Sequence, residues 1–251
     1  MRLLRHIWAI YAIIVFLGLA VFFLPVLYVT LKVSGSKAFT RGSAIVRFWA
    51  KCYLALFGMP WSAKGKHHFK RDQPYVIVSN HVSQLDILLC IVTLPIDFKF
   101  LSKKEATKIP VIGYCVKHLH LLVDRSRKDS RAESMKKMVH AIESGTSVLI
   151  YPEGTRNKGP QLIKNFYDGA FRLAVKTQQP LLPMTILDDW KRQNGHMFLQ
   201  LSPGRMRVRF DAPIPTEGLT EADIPDLKSK VQAIMEGHLR EVYGGQYGVG
   251  S

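Results

Sequence analysis

A histidine and an aspartate five positions apart are the first residues of this sequence that could do chemistry, in the run Asn-His-Val-Ser-Gln-Leu-Asp at residues 80–86. His81 follows an apolar, β-rich run at residues 75–79, so we expect it at the end of a strand, where loops carry functional side chains. A carboxylate that binds one imidazole nitrogen leaves the other nitrogen free to accept a proton. His81 and Asp86 therefore predict a general base that acts on a hydroxyl of a serine or of a substrate.

The spacing sets a condition on this pair. On a regular helix, five positions rotate a side chain by about 500°, which leaves the two residues roughly 140° apart. The pair forms only if His81 lies in the turn after the strand and Asp86 lies in the first turns of the following helix. Taken alone, the spacing is also typical of a surface histidine followed by an aspartate at a helix N-terminus.

A second polar cluster follows another strand-like run, at residues 147–150. Residues 153–156 read Glu-Gly-Thr-Arg, which combines a carboxylate, a flexible glycine, a hydroxyl and a guanidinium. Gly154 allows close approach of the backbone, Thr155 and backbone N–H groups can donate hydrogen bonds, and Arg156 can bind a phosphate through two donors. The loop therefore indicates an anion-binding site.

Together, Asn-His-x4-Asp and the later Pro-Glu-Gly-Thr-Arg resemble the motifs of the glycerolipid acyltransferases, specifically the 1-acylglycerol-3-phosphate acyltransferases. The resemblance covers residues 74–187. Further blocks occur in the order found in that family: Phe-Leu-Ser-Lys-Lys-Glu at 100–105, Ile-Pro-Val-Ile-Gly at 109–113, Val-Asp-Arg at 123–125 and Pro-Leu-Leu-Pro-Met at 180–184.

Two positions depart from the pattern of that family. The family usually has a glycine several residues before its Asp-Arg pair, whereas residues 117–122 here read Lys-His-Leu-His-Leu-Leu. Asp168 stands where the resemblance implies a basic or neutral residue. The first departure weakens the phosphate-binding role that the resemblance implies for Arg125 and indicates a different local pocket.

The resemblance implies transfer of an acyl group from acyl-CoA or acyl-carrier protein to the free sn-2 hydroxyl of 1-acylglycerol-3-phosphate (lysophosphatidic acid), which gives phosphatidic acid. His81 would take the hydroxyl proton while Asp86 holds the imidazole, and no acyl-enzyme forms because the substrate supplies the nucleophile. Apart from the acyl donor no cofactor is implied, and the cysteines and histidines lack metal-ligand spacing. The residues expected to bind the substrate phosphate or to shape its pocket are Arg156, Arg125, Lys103, Glu153, Gly154 and Thr155.

Other functions stay open from the sequence. Another lysolipid acceptor, such as a lyso-aminolipid or a lysophospholipid, would use the same base. A membrane-bound hydrolase would need a serine or a water as nucleophile; Ser79 and Ser83 are candidates, but neither lies in a Gly-x-Ser-x-Gly turn. A non-enzymatic lipid binder would leave His81 and Asp86 without a role.

The charge and the N-terminal region indicate a membrane partner. A net charge of +16 predicts an anionic partner, either nucleic acid or anionic membrane lipids. Residues 7–31 carry no charged side chain, and a helix of that length measures about 37 Å against a hydrocarbon core of about 30 Å. This favours anionic membrane lipids and not nucleic acid, with the segment either spanning the bilayer or inserting into one leaflet. A second amphipathic run, at residues 43–57, predicts an interfacial helix.

The alternation of short apolar runs with helical patterns predicts an α/β fold, a mixed sheet flanked by helices, with an N-terminal membrane-embedded helical segment. By the resemblance, the fold would be like that of the glycerol-3-phosphate acyltransferases. We expect membrane-anchoring helices at 1–60, an α/β acyltransferase domain at 61–243 and a flexible tail at 244–251, with the catalytic domain on the cytoplasmic face of a bacterial inner membrane. The strands are predicted at 75–79, 98–101, 121–123, 147–151, 181–187 and 205–210, and the helices at 84–94, 104–117, 129–144, 168–177 and 221–242.

Overall fold

The structure is a computed structural model that describes residues 2–70, 72–124, 129–192 and 202–244, with side chains from residue 6 onwards. Within these ranges, helices and strands alternate along most of the chain, as an α/β fold requires. In chain order they are α1 (Arg2–Val33), α2 (Ala38–Leu56), β1 (Trp61–Lys64), β2 (Val76–Ser79), α3 (Leu85–Thr93), β3 (Phe98–Lys103), α4 (Ile112–Leu119), β4 (Leu121–Val123), α5 (Ser130–Glu143), β5 (Ser147–Ile150), α6 (Gly169–Thr177), β6 (Leu181–Ile186), α7 (Asp189–Arg192), β7 (Met206–Phe210) and α8 (Ile224–Tyr243).

The strands form one mixed sheet in the order β1-β7-β6-β2-β5-β3-β4. Neighbouring strands are parallel except for β6 and β7, which pair antiparallel. The carboxyl ends of β6, β2, β5 and β3 therefore meet at one edge of the sheet. Loops that leave this edge are the ones that can combine residues distant in sequence.

The sheet is covered by helices on both faces. Ile77 and Leu149 point into the core on one face, whereas Val76 and Val148 point into the core on the other, because successive side chains of a strand alternate. Burial on both faces explains why the central strands are continuous apolar runs. The first face packs against residues of α1, α2 and α3, including Ala12, Leu54 and Leu89, and the second against residues of α5, α6 and α8, including Met138, Phe171 and Val231.

The two N-terminal helices pack against each other and against the sheet. The ring centroids of Phe16 and Trp49 lie 4.8 Å apart, and those of Phe23 and Phe48 lie 5.7 Å apart. Tyr53 of α2 is buried in the core beneath the sheet. The run predicted as an interfacial helix is therefore a helix with one face in the protein core. The division of the chain at residue 60 stays a prediction.

One predicted helix is wrong. Residues 104–117 do not form a single helix: a 3-10 helix covers Lys104–Lys108, and α4 begins only at Ile112. Pro110 disfavours helical conformation in the residue before it, and Val111 adopts φ +68°, so the chain turns between the two segments. A Cβ at position 113 would overlap the Thr107 carbonyl, so this turn needs a glycine at Gly113.

The other predicted strands and helices are confirmed with small shifts of their ends. The short edge strand β1 was missed, because its four residues carry no clear alternation. A 3-10 helix at Glu221–Asp223, with a capping box between Thr220 and Asp223, precedes α8. Of the predicted tail at 244–251, residues 245–251 lie outside the described ranges.

The unexpected Asp168 has a structural contact. It precedes α6, and the Lys228 ammonium of α8 donates a 2.7 Å hydrogen bond to its carboxylate. This hydrogen bond holds the pKa of Asp168 below its usual range. The acidic residue therefore connects the start of α6 to α8.

Candidate active site

The site begins at Asn80, the first residue after β2. The Asn80 side-chain amide donates to the carbonyl of Ile186 at 3.0 Å and accepts the N–H of Ile186 at 2.8 Å. This buried side chain therefore extends the pairing of β2 with β6 by one residue beyond the backbone ladder. The next residue, His81, leaves the sheet from a fixed point.

His81 and Asp86 are paired in the way the spacing required. His81 lies in the turn and Asp86 in the first turn of α3, with Nδ1 of the imidazole 2.8 Å from Oδ2 of the carboxylate. The same Oδ2 accepts the N–H groups of Val82 at 2.7 Å and Ser83 at 2.9 Å, and the Ser83 hydroxyl donates to Oδ1 at 3.1 Å. Asp86 is fully buried, whereas the His81 side chain is 17% exposed. Among the described residues Nε2 has no hydrogen-bond partner, so it can accept a proton from a bound molecule.

Glu153 connects the Glu-Gly-Thr-Arg loop to the turn that contains His81. Its Oε1 accepts the backbone N–H of His81 at 2.8 Å, and its Oε2 accepts the backbone N–H of Lys164 at 3.1 Å. The backbone N–H of Asn157 donates to the His81 carbonyl at 2.6 Å. Burial raises the pKa of Glu153 to about 7, although the two N–H donors oppose this shift. Glu153 therefore holds the backbone on both sides of the site.

Tyr151 supports the histidine from one face. Its ring stacks on the His81 imidazole, with centroids 4.1 Å apart and planes at 17°. The Tyr151 hydroxyl lies 3.5 Å from the Cys90 sulfur, and burial raises the pKa of both groups well above their usual ranges. The stacked Tyr151 ring therefore fixes the plane of the His81 imidazole.

The loop after Glu153 presents the groups that could bind an anion. Gly154 has φ +69°, and a Cβ at this position would lie 2.9 Å from the Tyr167 ring, so the loop needs a glycine here. The Thr155 hydroxyl accepts a 2.8 Å hydrogen bond from the Lys164 ammonium. Arg156 is half-buried, and its guanidinium makes no ion pair with any described residue. Arg156 directly precedes Asn157, whose backbone N–H donates to the His81 carbonyl, so the backbone of Arg156 lies close to the candidate base.

Lys103 lies at the same edge of the sheet but further from the pair. It ends β3 and is exposed, and β5 separates β3 from β2, which corresponds to roughly 10 Å between strand axes. Arg125 lies outside the described residues. The preceding Asp124 accepts a 3.3 Å contact from the Lys104 ammonium. The structure thus brings His81, Asp86 and the loop at 153–156 together and places Lys103 at their periphery.

Sequence reasoning missed Tyr151, Asn157 and Asn80 as parts of this site. A tyrosine directly before Pro-Glu-Gly-Thr-Arg was a usable signal, since it follows β5 at the same edge of the sheet, but its stacking partner depends on the order of the strands. Over the ranges that the structure describes, no group of three His, Cys, Asp or Glu side chains could hold a metal ion.

A protein-family model described as Acyltransferase matches residues 62–187. The chain belongs to the Acyltransferase family. The matched segment runs from β1 to just beyond β6 and contains both motifs, so the family match and the candidate site coincide.

Curated relatives of the family are similar over most of this chain. The 1-acyl-sn-glycerol-3-phosphate acyltransferase alpha of Mus musculus is 35% identical over 191 residues, covering 74% of this chain and 66% of the mouse protein. The 1-acyl-sn-glycerol-3-phosphate acyltransferase of Limnanthes douglasii is 29% identical over 202 residues, covering 78% of this chain and 68% of the plant protein. The chain thus spans just under two thirds of the length of the mouse relative.

A solved structure shares the fold. The crystal structure of the 1-acyl-sn-glycerophosphate (LPA) acyltransferase PlsC from Thermotoga maritima superposes with a TM-score of 0.83, covering 97% of this chain and 98% of that chain at 20% sequence identity. This likeness confirms the predicted α/β fold, a mixed sheet flanked by helices with an apolar N-terminal helix.

Proposed function

We propose that the protein transfers a fatty acyl group from acyl-CoA or acyl-carrier protein to the free sn-2 hydroxyl of 1-acylglycerol-3-phosphate, giving phosphatidic acid. The observation that carries the proposal is the imidazole of His81, bonded through Nδ1 to the buried Asp86 carboxylate at 2.8 Å and open at Nε2. The names of the mouse and plant relatives support the choice of acceptor.

In this mechanism Nε2 of His81 takes the proton of the acceptor hydroxyl as its oxygen attacks the thioester carbonyl carbon. Asp86 stabilises the imidazolium through the hydrogen bond to Nδ1, and the stacked Tyr151 ring adds a favourable contact with the cation. Collapse of the tetrahedral intermediate breaks the carbon–sulfur bond, and the leaving thiolate takes the proton from His81. The substrate supplies the nucleophile, so no acyl-enzyme forms.

The acceptor phosphate would bind at the loop that follows Glu153. A phosphomonoester carries a charge of about −1.5 to −2 and fits the fork of a guanidinium. Arg156 supports this role because it is half-buried, unpaired within the described residues and one position from Asn157, whose N–H donates to the His81 carbonyl. Lys103, Arg125 and Thr155 complete the proposed set, while Glu153 and Gly154 shape the loop.

A hydrolase is supported less well, because the side chains that would act as its nucleophile make other contacts. The Ser83 hydroxyl donates to Asp86 and accepts the N–H of Leu85 at 3.0 Å, and the Ser79 hydroxyl donates to the Asn80 carbonyl at 3.2 Å. Both hydroxyls are buried. The Cys90 thiol would also be a poor nucleophile, because burial raises its pKa and so disfavours the thiolate.

The test is transfer of labelled acyl groups from acyl-CoA and from acyl-carrier protein to 1-acylglycerol-3-phosphate in detergent micelles, with lysophosphatidylcholine and lysophosphatidylethanolamine as alternative acceptors. Wild-type protein should form phosphatidic acid. His81→Ala should lower kcat by about 10²- to 10⁴-fold, as expected on loss of a general base. Arg156→Ala should raise KM for the phosphate-containing acceptor more than it lowers kcat.

Two matched variants control for changes unrelated to the site. His67→Ala removes an exposed histidine, and Arg131→Ala removes an exposed arginine of α5; both should keep wild-type kinetics. Full turnover by His81→Ala would overturn the mechanism. Product formation from another lysolipid, with none from 1-acylglycerol-3-phosphate, would overturn the choice of acceptor.

We further propose that α1 lies in one leaflet and does not cross the bilayer. Within the described chain, the span His6–Val33 is the helix long and apolar enough to cross a membrane, with a mean hydropathy of 2.8. One side of it packs against the domain, from Trp8 on Phe57 to Tyr28 on Tyr114 of α4. A helix held along its length by the domain cannot cross a bilayer without taking the domain into it. Anionic lipids as partners, and the cytoplasmic face of a bacterial inner membrane as the location, remain part of the proposal.

A further inference from the structure

A third carboxyl group lies behind the candidate pair, on Asp189. This residue follows β6 as the first residue of α7 and is completely buried. Its Oδ1 accepts the backbone N–H of Trp190 at 2.8 Å. Its Oδ2 is shielded from solvent and receives no hydrogen bond from any N–H or O–H group of the described residues. A buried carboxylate oxygen without a donor is costly, so this atom needs an explanation.

The Asp189 side chain makes a carboxyl–carboxyl contact with Asp86, and both side chains are completely buried. Two ionised carboxylates repel each other and both lack a donor, so they form a hydrogen bond only when one of them carries a proton. Asp86 accepts hydrogen bonds from Val82, Ser83 and His81, which stabilise its ionised form. Asp189 accepts only the N–H of Trp190.

The proton therefore belongs on Asp189. Burial and the negative charges of Asp86 and Glu153 raise the pKa of Asp189 well above its usual range, opposed only by the N–H of Trp190. The neighbouring Asp188 differs, because both of its oxygens accept 2.7 Å hydrogen bonds from the Arg207 guanidinium. Of the two adjacent aspartates, one has a cation as partner and the other has only another carboxyl group.

We propose that Asp189 is a neutral carboxylic acid whose Oδ2–H donates to the Asp86 carboxylate, which makes it a positioning residue for the His81–Asp86 base. The extra donor fixes the orientation of the Asp86 carboxylate and disperses its charge. Asp189 lies in α7, which follows β6, and β6 is the neighbour of β2 in the sheet. The strand order therefore places Asp189 near the His81–Asp86 pair. The kinetic part of the inference rests on the proposed acyl transfer, whereas the location of the proton does not.

The chemistry of the side chain suggests two variants with opposite expected results. In Asp189→Asn, the amide N–H can donate to Asp86 while the amide oxygen accepts the N–H of Trp190, so kcat should stay within about threefold of wild type, because both hydrogen bonds are kept. In Asp189→Leu, the volume is filled but the donor is lost, and kcat should fall by about ten- to a hundredfold with little change in KM for the acceptor.

Infrared difference spectroscopy on the full chain in detergent tests the proton directly. The difference between wild type and Asp189→Asn at neutral pH should contain the carbonyl stretch of a protonated carboxylic acid. Asp188→Asn is the matched control, because it introduces the same amide bands, and its difference spectrum should contain bands of an ionised carboxylate without the carbonyl stretch of an acid. Thermal unfolding of each variant shows whether it is folded.

The outcomes separate the two proposals. Absence of the acid band shows that Asp189 is ionised and overturns the inference. An acid band with unchanged kcat in a folded Asp189→Leu overturns the positioning role, and so does equal loss of activity in a folded Asp189→Asn and in Asp189→Leu. If Asp189→Leu fails to fold, the acid band still tests the protonation of Asp189, and the kcat of Asp189→Asn still tests its positioning role. Wild-type protein without acyltransferase activity but with the acid band would contradict the proposed function alone.

Discussion

Three carboxyl groups, on Asp86, Glu153 and Asp189, lie close to one another at the candidate site, in a chain whose net charge is +16. Each has a different set of hydrogen-bond donors, and this difference separates their roles. Asp86 has enough donors to hold a buried negative charge beside the imidazole. Glu153 has two backbone donors and a pKa raised to about 7, so its protonation changes within the physiological pH range.

Replacement of Glu153 by glutamine tests this at the residue scale. Between pH of about 4.5 and about 7, the folded protein keeps the Glu153 proton while the unfolded chain loses it, so the folded state binds more protons and its stability falls as pH rises. The free energy of unfolding of wild type relative to Glu153→Gln should therefore decrease by up to about 3 kcal/mol across this window.

The measurement is chemical unfolding in detergent at a series of pH values. The amide cannot titrate, so other ionisable groups cancel in the difference between the two proteins. Glu143→Gln, at the exposed end of α5, controls for loss of a surface carboxylate. A difference that stays constant with pH would contradict the raised pKa.

Among the elements, β2 and β6 make a contact that positions the candidate base. The Asn80 amide replaces a rung of the ladder just beyond the end of β2, and the candidate base is the next residue. Asn80 therefore determines both the pairing of the strands and the point where the loop departs.

Asn80→Ala should lower the free energy of unfolding by about 1–3 kcal/mol, because it leaves the N–H and C=O of Ile186 unpaired in the core. It should also lower kcat, since the backbone just before His81 is no longer held against β6. Unfolding and turnover measured on the same preparation test both effects. Thr177→Ala is a control for a stability change far from the site, because it removes the hydrogen bond from the Thr177 hydroxyl to the Leu173 carbonyl within α6. Reduced stability with unchanged turnover would show that Asn80 does not position His81.

At the scale of the whole molecule, α1 has two apolar faces with different partners. One face packs against α2 and the sheet, and the other exposes large side chains, among them Phe22 at 74% and Val21 at 70%. Such a continuous apolar surface indicates contact with lipid.

Phe22→Asp should weaken binding to vesicles that contain anionic lipid by at least about tenfold, because transfer of a phenyl side chain from lipid to water costs roughly 1.5–3 kcal/mol. The thermal unfolding temperature should not change, since Phe22 makes little contact with the protein. Vesicle sedimentation measures the binding, and Ser144→Asp, in the loop after α5, is the control for an added surface charge. Unchanged binding together with lower thermal stability would show that this face packs against protein.

Much of the architecture and part of the site could be predicted from the sequence. The central strands are continuous apolar runs bounded by polar turns, and α3, α5 and α8 have a helical period, so local physics determined their positions. The spacing of His81 and Asp86 also determined that one must lie in a turn and the other in the first turn of a helix. Prediction failed at residues 104–117, where Pro110 and the positive φ of Val111 interrupt a helical pattern.

Only the tertiary structure decided which side chains meet the imidazole. Glu153 lies 72 residues from His81 along the chain, and it reaches the His81 N–H because β5 is the neighbour of β2 in the sheet. Asp189 reaches Asp86 because β6 lies on the other side of β2. A local pattern encodes a strand and its burial, but strand order depends on how all the helices and strands pack together. The two groups that flank the candidate base are therefore determined by long-range packing.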